Sequence, residues 1–360
     1  MKIAWVKGNA KISFNRPNVF MILGVRGSGK SSLLETIGTY YLQQEHKILD
    51  LFGSRDGENL AWLRSPFAED KKILLIKGDN TDVDCSWEVK SASNVTLWDI
   101  ENHDITISSS PLYSHPRIEF EAVGRITDLV YNRLSWKKII YMIVREAANL
   151  YYSRLKVEQS QLMAKAQEIY LLRESRHMGV AVGLDTLKFT SVDIDVRAVT
   201  DFQIFKALGL MGLPKELSWI YAFIDPAVLR NMKPHQFIIL SRNSDLGLGV
   251  FKAIPWHKEE KENILKELGI YVEHGEPIKE PIDRGKWHTV GDREHSQIIE
   301  AYVAGFNMTT LAKKFGRSSA TIKSHIHLHD EAVEKNGFCP MCRRVKSPYA
   351  KIKVLRKSVS

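Results

Sequence analysis

The chain has 360 residues, 44% hydrophobic and 26% charged, a composition that excludes a disordered polymer and accommodates a large core with a smaller appendage. A formal charge of +9 favours a polyanionic partner, nucleic acid or an anionic membrane surface. No uninterrupted apolar segment approaches the roughly 20 residues a bilayer crossing needs. The opening Met1-Lys2-Ile3-Ala4-Trp5 lacks a signal-peptide pattern, and three cysteines do not make a secreted disulfide framework, so a cytoplasmic location is expected.

Apolar runs of strand length lie at residues 19–23, 48–52, 73–76, 139–144, 180–184 and 237–240, with helical spacing between several of them. This alternation predicts an α/β fold with a mostly parallel sheet covered on both faces. The first run leads into Gly24-Val25-Arg26-Gly27-Ser28-Gly29-Lys30-Ser31, a match to G-x-x-x-x-G-K-[ST], and residues 32–42 read as the helix that follows. Gly24, Val25, Arg26, Gly27, Ser28, Gly29, Lys30, Ser31 and Ser32 are therefore expected to bind ATP. The glycines let backbone N–H groups curl around the phosphates, Lys30 reaches the β and γ phosphates, and the Ser31 hydroxyl helps hold Mg²⁺.

Nucleotide hydrolysis also needs an acidic pair at the end of a neighbouring buried strand. In Ile139-Ile140-Tyr141-Met142-Ile143-Val144-Arg145-Glu146-Ala147, Glu146 falls where a catalytic glutamate would polarise the attacking water. Arg145 occupies the place of the magnesium-associated aspartate. A cation there should weaken Mg²⁺ binding unless another acid substitutes, or unless Arg145 points away toward a neighbouring subunit or a phosphate. Asp185, at the end of the next predicted strand, is the acid expected to compensate. Asp50 and Asp56 are further acids near a strand end.

Residues 156–178 have the pattern of a long charged helix that stops at Gly179 before an apolar strand. Three segments, Gly24 to Ser31, Ile143 to Ala147, and Arg173-Glu174-Ser175-Arg176-His177-Met178-Gly179-Val180-Ala181-Val182-Gly183-Leu184, together resemble the HerA and FtsK group of DNA-pumping ATPases over roughly residues 15–255. That group includes viral packaging ATPases and the transfer ATPases of mobile elements. The resemblance implies a RecA-like P-loop NTPase core, ATP hydrolysis coupled to translocation or packaging of double-stranded DNA, and a homo-oligomeric ring, typically a hexamer. It also implies catalytic arginines reaching a neighbouring subunit's nucleotide, for which Arg173 and Arg176 are the candidates and Arg197 a competitor. The family's sensor strand usually ends in Thr-Gln, where this chain has Asp185-Thr186. Residues 237–242 and 248–252 read as a closing pair of strands, completing an ATPase domain over residues 1–255.

Residues 256–290 read as a linker: a charged amphipathic stretch at 257–268, then Gly269, Pro277, Pro281 and Gly285. Helical patterns at 295–304, 309–315 and 318–335, turned at Gly305 and Gly316, predict a small all-α helix-turn-helix domain over residues 291–345. It resembles the helix-turn-helix of invertases and resolvases over about 45 residues. Ser318 is placed to cap the recognition helix, and Arg317, Ser319, Thr321 and Lys323 are expected to contact DNA. The basic tail, residues 346–360, adds phosphate affinity and has few large apolar residues for membrane insertion. His325 and His329, one turn apart, with Cys339-Pro340-Met341-Cys342 form a candidate tetrahedral Zn²⁺ knuckle, while His327 points elsewhere. Two other readings compete: an ATP-switched DNA-binding regulator or initiator with slow hydrolysis, and a terminase-like packaging enzyme with a nuclease site at Asp185, Asp193 and Asp195. The C-terminal region has no evident carboxylate cluster to support the nuclease.

Overall fold

The structure, a computed structural model, describes residues 1–52, 57–133, 135–153, 159–210, 212–252, 261–270 and 290–344. The described residues divide between two compact units, Met1–Glu273 and His274–Ser360.

The first unit is built on one eleven-stranded sheet. Its strands are β1 (Lys2–Lys7), β2 (Val19–Leu23), β3 (Lys47–Phe52), β4 (Ile73–Lys77), β5 (Glu88–Ser91), β6 (Ile105–Ser108), β7 (Ile140–Val144), β8 (Val180–Thr186), β9 (Phe202–Phe205), β10 (Gln236–Ser241) and β11 (Leu246–Val250). They lie in the order β1-β11-β10-β9-β2-β8-β7-β3-β6-β4-β5. Every neighbouring pair from β9 to β5 is parallel, and β10, β11 and β1 extend the β9 edge in antiparallel pairing. The helices of this unit are α1 (Lys30–Gln43), α2 (Leu97–Asn102), α3 (Pro116–Tyr131), α4 (Gln159–Met178), α5 (Ile194–Val199), α6 (Pro226–Asn231) and α7 (Lys261–Glu267). This is a mixed α/β fold with a large, mostly parallel sheet, consistent with a RecA-like P-loop NTPase core.

At β2 and β10, strand alternation divides the side chains between two buried clusters. On β2, Phe20 and Ile22 join one core while Met21 and Leu23 join the other; on β10, Phe237 and Ile239 separate from Ile238 and Leu240 in the same way. The central strands β2, β7 and β8 are buried along their whole length, as a parallel sheet covered on both faces requires. Because β8 lies between β2 and β7, with Ile22 opposite Asp185 and Val144 opposite Leu184, the C-terminal ends of these three strands come together. That edge is where ligands bind in open parallel sheets.

Several elements depart from expectation. β1, β5, β6, β9 and α3 lie where the residue pattern predicts nothing definite. β6, Ile-Thr-Ile-Ser, is a four-residue strand whose polar side chains are buried with the apolar ones, so it has no solvent-facing period to read. α3 begins at Pro116, with His115 Nδ1 accepting the Arg117 N–H at 3.1 Å. β11 starts two residues earlier than expected because Ser241 and Asp245 close a tighter turn. Ser241 N donates to Asp245 O at 2.9 Å, and its hydroxyl to Asp245 Oδ2 at 2.6 Å. α7 buries Ile264 and Leu265 in the first unit's core, so this part of the expected linker is packed structure.

The second unit contains α8 (Asp292–Val303), α9 (Met308–Phe315) and α10 (Ser319–Asn336), packed around Val290, Ile298, Ile299, Leu311, Ile322 and Ile326. Gly316, at φ +61°, ends α9, and Ser318 Oγ accepts the Thr321 N–H at 3.1 Å to start α10. Among the described residues, no helix is long and apolar enough to cross a membrane.

Glu168 on α4 is fully buried against α3, accepting hydrogen bonds from Thr127 Oγ1 at 2.5 Å and Tyr151 OH at 2.6 Å. Burial pushes its pKa up to about 7 in spite of these two donors. Between its ordinary value and about 7, the folded chain keeps a proton that the unfolded chain has released, so its contribution to stability falls as pH rises through that window. Glu168→Gln is expected to remove roughly 2–3 kcal/mol of that decline, read as the difference in urea unfolding between about pH 5 and about pH 8. A variant with the native pH dependence would contradict a neutral, buried Glu168.

Candidate functional site

The loop after β2 is held by backbone bonds to both neighbouring strands' ends. Gly24 N donates to Thr186 O at 3.3 Å and Val25 N to Ala207 O at 2.9 Å. Two glycines are required by this packing. A Cβ on Gly24 would lie 2.6 Å from Ser28 Oγ and 2.7 Å from Lys206 Cβ. Gly29, at φ +84°, would place one 2.6 Å from Pro234 O. Ser28 Oγ is buried and has no protein partner. Lys30 is buried at the first position of α1, with its Nζ 3.4 Å from Val25 O. Val25, Ser31 and Ser32 are half-buried, and Arg26 and Gly27 are exposed at the rim. A residue outside the motif supports this wall: Lys206, after β9, donates to Pro234 O at 2.6 Å and Gln236 O at 2.7 Å, and burial lowers its pKa to about 7.

Asp185 lies within the electrostatic reach of Lys30, Glu146 and Glu58. Asp185 is buried at the end of β8, and burial pushes its pKa up to about 6 against the pull of Lys30 and of the Glu146 N–H. That N–H donates to Asp185 Oδ1 at 2.5 Å. Glu146 itself is half-buried and sits at φ 48°, a left-handed conformation that costs a non-glycine residue energy and needs surrounding contacts to hold it. Glu58, from the turn at Glu58–Arg64, acts on Asp185 through its charge. Thr186 is buried, and its hydroxyl donates to Lys188 O at 3.2 Å.

Arg145 faces neither a phosphate nor the exterior, the two directions expected of it. It is completely buried: Nη2 lies 2.8 Å from Glu35 Oε1 and 2.7 Å from Asp50 Oδ2, and Nε lies 3.3 Å from Asp50 Oδ1. Trp62 Nε1 donates to Asp50 Oδ2 at 2.9 Å. Burial works against the guanidinium charge, but Asp50, Glu35 and Glu58 hold it protonated. Glu35 is one helical turn beyond Ser31, so Arg145 ties the end of β7 and β3 to the helix of the P-loop. Glu35, Glu58 and Lys206 carry no local motif that would have singled them out. Asp56 lies outside the described residues.

Arg173 pairs with Asp195 at 3.0 Å on the surface of α4. Arg176 pairs with Asp201, whose other oxygen accepts the Val19 N–H at 3.0 Å. Arg176 thus stands at the N-terminal end of β2, and five strand residues, roughly 16 Å, separate it from this chain's own P-loop. Arg197 lies over the Phe189 ring at 4.8 Å. Asp193 pairs with Lys165 at 2.6 Å. Among the described residues Asp185, Asp193 and Asp195 do not converge on a common metal position.

In the second unit, Ser319 and Lys323 are exposed. Arg317 is engaged by Glu294 of α8 through two 2.8 Å bonds, and Thr321 Oγ1 lies 2.9 Å from Ser318 Oγ within the helix cap. The basic residues Lys346, Lys351, Lys353, Arg356 and Lys357 lie outside the described residues. The histidine–cysteine cluster consists of His295, His329, Cys339 and Cys342, with His295 standing where His325 was expected. His325 Nδ1 instead lies 3.1 Å from His295 Nδ1. The helix register puts His325 and His329 on one side of α10, but the cysteine turn reaches only the later of them. His295 supplies the remaining corner from a helix 30 residues earlier than His325, a separation at which no spacing motif operates.

Removing Arg145 would leave two buried carboxylates without their counter-charge. Arg145→Met is expected to cost about 3–5 kcal/mol in chemical unfolding, with most of the loss restored when Glu35→Gln and Asp50→Asn are added. A loss below about 1 kcal/mol would contradict the role of the buried cluster.

No family model and no curated protein matches the chain. Among solved structures, the DNA-packaging ATPase B204 from Sulfolobus Turreted Icosahedral Virus is 22% identical, with 67% of this chain and 99% of that one covered at a TM-score of 0.38. The genome packaging NTPase B204 from Sulfolobus turreted icosahedral virus 2, in complex with AMP, is 18% identical, with 66% and 98% covered at a TM-score of 0.39. The pCW3 conjugation coupling protein TcpA, with ATPγS, is 13% identical, with 73% and 70% covered at a TM-score of 0.42. These identities and TM-scores are too low for the likeness to bear on function, which rests on the chain's own residues.

Proposed function

We propose that this chain hydrolyses ATP at Gly24 to Ser31 and uses the turnover to translocate or package double-stranded DNA. The observation that carries the reading is the convergence of Lys30, Asp185 and Glu146 at the joined C-terminal ends of β2, β8 and β7. The residues present fit a polyphosphate: the loop packs too closely for side chains at Gly24 and Gly29, Ser28 Oγ is a buried hydroxyl with no partner among the described residues, and α1 opens at the loop with no side-chain cap on its N-terminus. Neighbouring carboxyl groups fit a hard divalent cation.

In this reading the backbone from Val25 to Lys30 and the Ser32 turn hold the phosphates, and Lys30 balances charge on the β and γ groups. Ser31 and Asp185 would hold Mg²⁺, which when bound neutralises charge on the transferring phosphoryl group. Glu146 orients and polarises the attacking water, its carboxylate aimed by the left-handed backbone and the N–H bond to Asp185. Arg173 and Arg176, both exposed, and Arg176 at the far end of β2 from its own P-loop, would serve the nucleotide of a neighbouring subunit in a homo-oligomeric ring. The helix-turn-helix unit would hold duplex DNA through Ser319 and Lys323, with Arg317 and Thr321 fixing the approach of α10, and the +9 charge favours that partner.

A second reading, an ATP-switched DNA-binding regulator, draws on one observation: no acid stands at position 145. Hydrolysis measured with and without long duplex DNA at fixed salt separates the two. The motor is expected to show DNA-stimulated turnover that falls about 100-fold or more in both Lys30→Ala and Glu146→Gln. Nucleotide binding without appreciable turnover would overturn the motor and favour the switch.

A further inference from the structure

The second unit brings four metal-binding side chains together from separate segments. His295 comes from the first turn of α8, His329 from α10, and Cys339 and Cys342 from the turn after α10. His295, His329 and Cys339 are buried and Cys342 is half-buried. The Nε2 of His295 lies 3.5 Å from Cys339 Sγ, and the Nδ1 of His329 lies 3.2 Å from Cys342 Sγ. All four ligand atoms fall within 4.8 Å of one another. A tetrahedral ion with bonds of about 2.0–2.1 Å to nitrogen and about 2.3 Å to sulfur places its ligand atoms about 3.3–3.8 Å apart. The two closest pairs thus already stand near that spacing.

The local chain is shaped to produce this arrangement. α10 stops at Gly337, whose φ of +75° turns the backbone out of the helix. The chain then folds back on itself: Cys339 N donates to Arg344 O at 2.9 Å and Arg343 N to Cys339 O at 2.7 Å. Between those bonds Cys342 returns toward Cys339, and both thiols face the histidines.

We infer that His295 Nε2, His329 Nδ1, Cys339 Sγ and Cys342 Sγ bind one Zn²⁺ in a closed structural site that clamps the start of α8 to α10 and to the following turn. Two thiolates and two neutral imidazoles cancel the charge of a divalent ion, which suits a buried position, and an S₂N₂ tetrahedron favours zinc among divalent ions of the cell. With four protein ligands there is no open position, so the ion stabilises and does not catalyse. His325 acquires a role beside the site: with His295 bound through Nε2, the other ring nitrogen carries a proton and donates to His325 Nδ1 across their 3.1 Å separation, fixing the ring. Arg344, on the same turn, pairs with Glu300 of α8 at 3.1 Å, a second tie between that turn and α8.

The test is elemental analysis of the purified full chain, with thiols counted, followed by exchange into Co²⁺. About one zinc per chain is expected, with cobalt giving thiolate charge transfer and the intense visible bands of tetrahedral coordination. His295→Ala and Cys339→Ser should lose stoichiometric metal. Because loss of a metal ligand can itself unfold the unit, His325→Ala supplies the discriminating case: it should retain about one zinc while its affinity falls about 10- to 100-fold. Reduced full chain that takes up no zinc and gives no tetrahedral cobalt spectrum would overturn the site. So would loss of stoichiometric metal from His325→Ala with retention in His295→Ala.

Discussion

Arg145 is a wholly buried cation whose charge is balanced by hydrogen bonds to Glu35 and Asp50 and by the nearby charge of Glu58. Glu35 and Asp50 lie on the P-loop helix and on β3, while Arg145 follows β7, so a single guanidinium fixes three elements against one another. The position of α1 decides where Lys30 and Ser31 stand, and the end of β7 decides where Glu146 stands. In the proposed ATPase, the relative placement of Lys30, Ser31 and Glu146 therefore depends on this ion cluster. A sign change at one position, base in place of acid, is matched inside the same fold by acids on two neighbouring elements.

In the proposed ATPase, that arrangement leaves divalent binding to Asp185. Its carboxyl group is buried beside Lys30 and anchored by the backbone of Glu146, so the two acids are mechanically linked as well as close. The left-handed backbone at Glu146 is a local cost that the hydrogen bond to Asp185 offsets. Strain of this kind at a strand end, next to a glycine-rich loop, is a common way for a fold to aim one side chain. Lys206 contributes from the other flank by capping the carbonyls of the segment that presses on Gly29.

Much of the central sheet was legible because its strands are short apolar runs punctuated by glycine and by charge. The loop between β2 and α1 could be placed from its glycine spacing, since that spacing reflects the curl of one backbone segment. What could not be read depended on distant partners. The direction of Arg145 is set by Glu35 and Asp50, 110 and 95 residues away, and no local pattern encodes that meeting. The same holds for His295, whose partnership with Cys339 spans 44 residues, whereas the Cys-x-x-Cys pair was visible at once. Arg317 looked available to DNA by its place before α10, yet Glu294 on α8 holds the Nε–Nη2 edge of its guanidinium. β6 and β9 escaped notice because four residues contain too little periodicity to separate strand from loop.

In the proposed ATPase, Asp185, rather than the residue following β7, supplies the acid for the nucleotide's divalent ion. Equilibrium binding of a non-hydrolysable ATP analogue to the native chain and to Asp185→Asn, with Mg²⁺ and with a chelator, tests it most directly. Mg²⁺ is expected to tighten binding to the native chain by about tenfold or more and to have little effect on the variant, with metal-free affinities alike. An Asp185→Asn chain that keeps the full native enhancement by Mg²⁺ would contradict the claim.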